Sequence, residues 1–110
     1  MTAAPPLFSI VIPAHNEEKY LPRGLAAISA ARARVDFPVE VIVVDNACTD
    51  RTAELAREWG AVVVREEKRQ IARVRNAGAA AARGEFLLTV DADSAMHPDT
   101  LRVAADLLRR

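Results

Sequence analysis

The chain has 110 residues, of which 51% are hydrophobic and 27% charged, which predicts a single globular domain rather than a disordered segment. Its 15 basic and 15 acidic residues cancel, so no net charge attracts nucleic acid or an anionic membrane. One cysteine excludes an internal disulfide and favours a cytoplasmic location. No apolar run is long enough to span a membrane, and we expect no signal peptide at the N-terminus.

The composition also excludes several kinds of site. The four glycines do not fall into the spacing of a dinucleotide-binding motif or of a P-loop. One cysteine and two widely separated histidines cannot form a closed structural zinc site. None of the serines lies in the G-x-S-x-G motif of a hydrolase nucleophile.

The first half of the chain predicts two strand–helix pairs. Residues 8–13 form a short run rich in β-branched residues, which is typical of a buried strand. We expect Asn16 to cap a helix that reaches residue 34. The apolar run 39–44 predicts a second strand, and residues 51–59 predict a second helix that Gly60 ends.

The second half repeats this alternation. Residues 61–64 predict a third strand, and the charged stretch 65–69 predicts a loop. Residues 86–90 predict a fourth strand, and Pro98 suits the start of a last helix. The third helix is expected to turn one face towards the sheet, formed by Ile71, Val74, Gly78 and Ala81.

Continuous apolar strands that alternate with helices are typical of a parallel sheet covered on both faces. The sequence therefore predicts an α/β fold with a doubly wound, mostly parallel four-stranded sheet flanked by helices. Residues 1–110 form one domain in this prediction, with residues 1–7 as a flexible N-terminus.

Polar residues follow three of the predicted strands, where parallel sheets bind their ligands. Residues 13–17 follow the first strand, Asp45 and Asn46 the second, and Asp91 and Asp93 the fourth. Carboxylates gathered at one rim would suit Mg²⁺ or Mn²⁺, which complete their shells with water and phosphate.

Each of these residues also has a simpler interpretation. An Asp-x-Asp sequence is common in turns, and Asp45 and Asn46 could merely start the next helix. His15 could be a solvent-facing loop residue, and the arginines that follow the third strand could be an ordinary solvated surface. The position of the acidic groups at strand ends favours a binding site.

Four ordered motifs carry a resemblance to a known family. They are residues 9–18 (SIVIPAHNEE), 43–50 (VVDNACTD), 73–78 (RVRNAG) and 82–93 (ARGEFLLTVDAD). Together they resemble the N-terminal, donor-binding part of the family 2 glycosyltransferases, which are inverting enzymes with the GT-A fold. The resemblance covers the chain from about residue 8 to its end.

The resemblance implies a nucleotide-sugar donor, with a UDP-sugar as the first expectation, and a divalent cation. Asp45 would accept a hydrogen bond from the base, and either Arg73 or Arg75 would face the diphosphate. The donor-binding residues that it implies are Pro13, Ala14, His15, Glu17, Asp45, Arg73, Arg75 and Asp91. Asp93 would bind the metal, together with Asp91.

The chain also departs from the family pattern. Asp45, Asn46, Ala47 and Cys48 stand where the family often has Asp-Asp-Gly-Ser, and His15 replaces a commoner aromatic residue. The family places its acceptor site and catalytic base in a second half, so we expect the base to lie outside this chain and the isolated chain to be inactive.

Two other functions are compatible with the sequence. One is a non-catalytic module that binds nucleotide or a partner. The other is a nucleotidyltransferase, which would normally show a glycine-rich basic loop after the first strand. We also expect self-association through the fourth strand, because an unpaired strand edge exposes backbone hydrogen-bonding groups.

Overall fold

The computed structural model describes residues 4–109 as alternating strands and helices. The strands are β1 (Phe8–Ala14), β2 (Val39–Asp45), β3 (Val62–Arg65) and β4 (Phe86–Thr89). The helices are α1 (Leu21–Arg32), α2 (Thr52–Trp59), α3 (Ile71–Ala81) and α4 (Thr100–Leu108).

The strands form one parallel sheet in the order β3-β2-β1-β4. Ala14 at the end of β1 lies opposite Asp45 at the end of β2. Val11 of β1 lies opposite Thr89, the last residue of β4. The predicted fold class is therefore confirmed, and the carboxyl ends of the central strands meet at one edge.

Alternation along the strands divides the core between the two faces of the sheet. On one face, Ile10, Ile12, Val41 and Val43 pack with apolar residues of α1, α2 and α4. On the other face, Val11, Ile42 and Val44 pack against Val74 of α3. Helices thus cover both faces, which explains why β1 and β2 are apolar almost throughout.

Helix α3 lies very close to the sheet because Gly78 has no side chain. A Cβ atom at Gly78 would lie 2.4 Å from Cγ1 of Val11 and 3.1 Å from Cγ2 of Val44. Real Cβ atoms do not approach carbon so closely, so this contact requires glycine. The predicted inward position of Gly78 is confirmed.

Two details of the predicted helices are wrong. Helix α1 begins at Leu21, and its N-cap residue is Tyr20 rather than Asn16. The Asn16 side chain instead accepts a hydrogen bond from the backbone N–H of Thr49 at 2.8 Å, which joins the loops after β1 and β2. Ile71, expected to face the sheet, is 71% exposed because it is the first residue of α3, beyond the packed part of the helix.

The predicted flexible N-terminus is wrong for Pro6 and Leu7, which are both buried. Leu7 donates a backbone hydrogen bond to Pro38 at 2.9 Å and accepts one from Phe86 at 2.9 Å. Residues 1–3 of that prediction lie outside the described residues. Between residues 4 and 109, no helix is both long and apolar enough to cross a membrane.

Candidate functional site

A pocket of about 190 Å³ opens at the carboxyl ends of β1 and β2, beside the start of α3. This is the edge at which parallel sheets bind ligands, because the connecting loops separate there. The residues that line the pocket are Pro13, Ala14, His15, Asn46, Arg69, Ile71, Val74 and Arg75.

Four of the residues predicted from the sequence line this pocket: Pro13, Ala14, His15 and Arg75. The first three form the end of β1 and the residue after it, and Arg75 lies one turn into α3. The structure therefore places Arg75, and not Arg73, at the pocket. Arg73 points towards Glu66, with its Nε 3.9 Å from a carboxylate oxygen.

Strand alternation explains why Asn46 lines the pocket and Asp45 does not. Val44 packs on the α3 face of the sheet and Val43 on the opposite face. The next two residues continue this alternation, so Asp45 falls on the opposite face and Asn46 on the α3 side, where the pocket lies. The sequence places Asn46 at this rim, but the predicted donor-binding residues include Asp45 and not Asn46, although the alternation along β2 favours Asn46.

Asn46 is held in one orientation by four hydrogen bonds. Its backbone N–H donates to Ala14 at 2.8 Å, and its backbone carbonyl lies 2.7 Å from Nδ1 of His15. Its side-chain Nδ2 donates to the carbonyl oxygens of Glu66 at 2.8 Å and Lys68 at 2.9 Å. Since two carbonyls require two N–H donors, the amide nitrogen must face the loop after β3.

His15 is oriented by the same residue. The carbonyl of Asn46 can only accept a hydrogen bond, so Nδ1 of His15 must donate it. In the neutral ring, Nε2 is then left as an acceptor. The half-buried ring thus forms a fixed wall of the pocket.

The pocket has a positive electrostatic character. Arg69 and Arg75 both contribute exposed guanidinium groups. Among residues 4–109, no acidic side chain lines the pocket. The first turn of α3 adds the partial positive charge of a helix N-terminus. This combination favours an anionic ligand such as a phosphate ester.

Asp45 is committed to protein partners. Its side chain is nearly buried, and it accepts hydrogen bonds from the backbone N–H of Cys48 and from Nη1 of Arg65, both at 2.9 Å. Burial alone would raise the pKa of Asp45, but these bonds outweigh burial and hold the pKa below its ordinary value. The structure therefore does not bring Asp45 to the pocket as a free acceptor for a base.

Asp91 and Asp93 lie beyond the end of β4, on either side of the buried Ala92. The backbone N–H of Val90 donates to Val11 at 3.0 Å, which keeps this segment beside β1 as it leaves the sheet. Both carboxylates are exposed, and neither forms an ion pair within the described part of the chain.

The predicted convergence of acidic residues into one cation site is not found. Among residues 4–109, no three His, Cys, Asp or Glu side chains gather as a metal-binding group. Asp45 is paired with Arg65. Of the acidic residues predicted to share a cation, only Asp91 and Asp93 therefore remain without an ion pair in the described chain, and both lie beyond β4. Glu17 lies apart as well, at the turn before α1, where its backbone N–H donates to Thr52 at 2.9 Å.

Comparison with known proteins identifies the family. The sequence profile of "Glycosyl transferase family 2" matches residues 9–110. The glycosyltransferase EpsH of Bacillus subtilis, whose assignment is itself provisional, is 30% identical over 92% of this chain and 31% of its own length.

Two solved structures share the fold over almost the whole chain. The crystal structure of residues 1–349 of TarS from Staphylococcus aureus superposes with a TM-score of 0.81 and 32% identity, covering 93% of this chain and 32% of that chain. The mannosyltransferase PcManGT from Pyrobaculum calidifontis, in complex with GDP-Man and Mn²⁺, superposes with a TM-score of 0.82 and 30% identity, covering 97% of this chain and 33% of that chain.

The chain thus spans about a third of the length of EpsH and of these two solved structures. Within that span, both the order of the sequence motifs and the order of strands and helices agree with the family. The chain belongs to glycosyl transferase family 2.

Proposed function

We propose that this chain forms the donor-binding part of an inverting glycosyltransferase, which transfers a sugar from a nucleotide sugar to an acceptor hydroxyl. The observation that carries the proposal is the pocket between β1, β2 and α3, which combines apolar walls with Arg69 and Arg75. An apolar wall suits a nucleoside, and the guanidinium groups suit its diphosphate.

Solved relatives support this ligand class. TarS has been crystallised with UDP-GlcNAc, and PcManGT with GDP-Man. We propose a UDP-sugar as the donor of this chain, with Pro13, Ala14 and His15 beside the nucleoside and Arg75 beside the diphosphate. Glu17, Arg73 and Asp91 remain predicted donor contacts that lie outside the pocket.

We further propose that Asp93, together with Asp91, holds Mg²⁺ or Mn²⁺. The two carboxylates fit such an ion, because they are exposed and free of ion pairs in the described chain. A Mg²⁺ site needs only one or two carboxylates when phosphate and water complete the shell. PcManGT and a glucosyl-3-phosphoglycerate synthase from Mycobacterium tuberculosis were both crystallised with Mn²⁺.

The proposed residues account for one half of the reaction. The diphosphate gains negative charge as it leaves the sugar, and Arg75 would stabilise that charge where it develops. The bound cation would supply further charge stabilisation. Inversion also requires a base for the acceptor hydroxyl. The prediction that this base lies outside these 110 residues remains a prediction, as does the cytoplasmic location.

Calorimetric titration with UDP in the presence of Mn²⁺ tests the proposal. We expect Arg75→Met to weaken UDP binding about 10-fold or more, because one charge-assisted contact to phosphate is lost. Arg57→Met removes an exposed arginine from α2 that does not line the pocket, and it should leave the affinity unchanged. If the unmodified chain binds no nucleoside diphosphate, the donor-site proposal is wrong and an interaction module remains.

A further inference from the structure

We infer that Gly24, in helix α1, is a positioning residue for the proposed cation site. It fixes the turn that carries Asp93, because its lack of a side chain lets two backbone carbonyls of that turn rest against the helix. The inference rests on the proposed cation site at Asp91 and Asp93. It adds a residue that acts through the turn and not on the ligand itself.

The two acidic residues belong to a hydrogen-bonded turn. The backbone N–H of Ser94 donates to the carbonyl of Asp91 at 3.0 Å, which closes the turn around Ala92 and Asp93. Ala92 is buried in the hydrophobic core together with apolar residues of α1, whereas Asp91 and Asp93 are exposed. The middle of the turn is therefore anchored to the core, and its two carboxylates stay at the surface.

Gly24 forms part of the surface on which this turn rests. A Cβ atom at Gly24 would lie 3.0 Å from the carbonyl oxygen of Ser94 and 3.2 Å from the carbonyl oxygen of Ala92. Ala92 and Ser94 are the residues immediately before and after Asp93 in the chain. The contact with α1 therefore fixes the backbone on both sides of Asp93.

The helix itself does not require glycine at this position. Gly24 lies inside α1 with a helical φ angle, which every residue adopts, and glycine destabilises a helix interior relative to alanine. Gly24 is buried on the same face of α1 as Leu21, Leu25 and Ile28. The close approach of the turn is thus the structural reason for a glycine here.

The distances indicate how far a side chain at Gly24 would move the turn. Ordinary contacts of a Cβ atom begin at 3.4 Å, so alanine would push the two carbonyls away by a few tenths of an ångström. Valine adds two methyl groups and requires a larger displacement. A metal ligand must be held within roughly 0.5 Å of its working position. We therefore expect a graded loss of the cation effect, larger for valine than for alanine.

The test is calorimetric titration of UDP with Mn²⁺ and with EDTA, in the parent and in three variants. In Gly24→Val, the gain in UDP affinity from Mn²⁺ should fall to within about two-fold, because residues that orient metal ligands typically contribute about 10–100-fold to metal affinity. Gly24→Ala should reduce the gain by about three-fold. With EDTA, both variants should bind UDP within about two-fold of the parent, because Gly24 does not line the pocket. Ala26→Val places valine at an exposed position of α1 and should keep the gain of the parent.

The titration with EDTA separates positioning from folding. A Gly24→Val variant that weakens UDP binding equally with Mn²⁺ and with EDTA would assign Gly24 to folding alone and overturn the inference. A Gly24→Val variant that retains the full gain would overturn it as well. If Gly24→Val does not fold, Gly24→Ala decides the question, and an unreduced gain in that variant overturns the inference. A parent chain whose UDP binding ignores Mn²⁺ would instead overturn the proposed cation site, and the inference with it.

Discussion

Nη1 of Arg65 lies 2.9 Å from Oδ2 of Asp45, so the last residue of β3 neutralises the last residue of β2. The carboxylate is nearly buried, whereas about half of the guanidinium side chain is exposed. Arg65 also pairs with Glu67 on its solvent side. The contact joins two neighbouring strands at the edge of the sheet where the pocket opens, and it occupies the carboxylate of Asp45 with a protein partner.

This ion pair predicts an acid-dependent loss of stability. The pKa of Asp45 is held below its ordinary value of 3.8, so the carboxylate stabilises the fold above that pH and ceases to do so as the pH falls through the lowered pKa. Arg65→Met should reduce the free energy of unfolding near neutral pH, because the nearly buried carboxylate of Asp45 loses its charged partner.

Urea unfolding at pH 7 and at pH 3 measures this effect, with Arg57→Met as the control on an exposed arginine. The difference between Arg65→Met and the parent should shrink as the pH falls below 3.8, because the stabilisation that depends on the Asp45 carboxylate is lost as the pH falls towards its lowered pKa. A difference that stays constant across this pH range would show that Arg65 stabilises the chain in another way.

The close approach of α3 to the sheet predicts intolerance at Gly78. Gly78→Leu should lower the free energy of unfolding by roughly 1–3 kcal/mol, because even a Cβ there would lie 2.4 Å from Val11. Ala79→Leu adds a side chain of the same size at an exposed position of the same helix and serves as the control. Equal melting temperatures for the two variants would be inconsistent with the packing described here.

Ala47 has a backbone conformation that is unfavourable for alanine. Its φ angle is +54°, in the left-handed region that favours glycine. Ala47→Gly should therefore raise the free energy of unfolding by about 0.5–1 kcal/mol, by relieving strain in the loop that carries Asn46. Ala53→Gly, inside helix α2, should lower it by about the same amount. Destabilisation by both variants would argue against strain at Ala47.

Within residues 4–109, no strand pairs with the outer edge of β4, and this predicts self-association of the isolated chain. β4 is the last strand of the sheet, and its Leu87 is 49% exposed. Leu87→Lys should reduce association, because charged side chains on an edge strand oppose pairing. Val62→Lys introduces the same change on β3, at the opposite edge, and serves as the control. Sedimentation velocity across a concentration series distinguishes them, and a parent chain that stays monomeric throughout would refute the prediction.

The sequence predicted the strands well because β1 and β2 are buried on both faces, which makes them continuous apolar runs. It failed where a polar side chain had several possible partners. Asn16 has the chemistry of a helix cap, but it bonds to Thr49 in a loop that lies 33 residues further along the chain. No local pattern contains that contact.

Only some of the residues that line the pocket could be predicted from the sequence, because the others depend on contacts between distant parts of the chain. Pro13, Ala14 and His15 were identified because they lie at the carboxyl end of the first predicted strand, where the pocket opens. Asp45 was preferred over Asn46 because the family resemblance assigns the base contact to an acidic residue at this turn, and only the two-face division of the sheet shows which of them reaches the pocket. Arg69 and Ile71 became visible as lining residues only when the start of α3 was placed beside β1.

The central claim is that the chain binds a nucleoside diphosphate with the help of a divalent cation at Asp93. The most direct measurement is calorimetric titration of UDP with Mn²⁺ and with EDTA, in the parent, in Asp93→Asn and in Asp106→Asn, which alters an exposed acid on α4. Mn²⁺ should strengthen UDP binding by at least about 10-fold, or about 1.4 kcal/mol, in the parent and in Asp106→Asn, and Asp93→Asn should lose that gain. An identical Mn²⁺ effect in Asp93→Asn, or UDP binding that ignores Mn²⁺ in the parent, would contradict the claim.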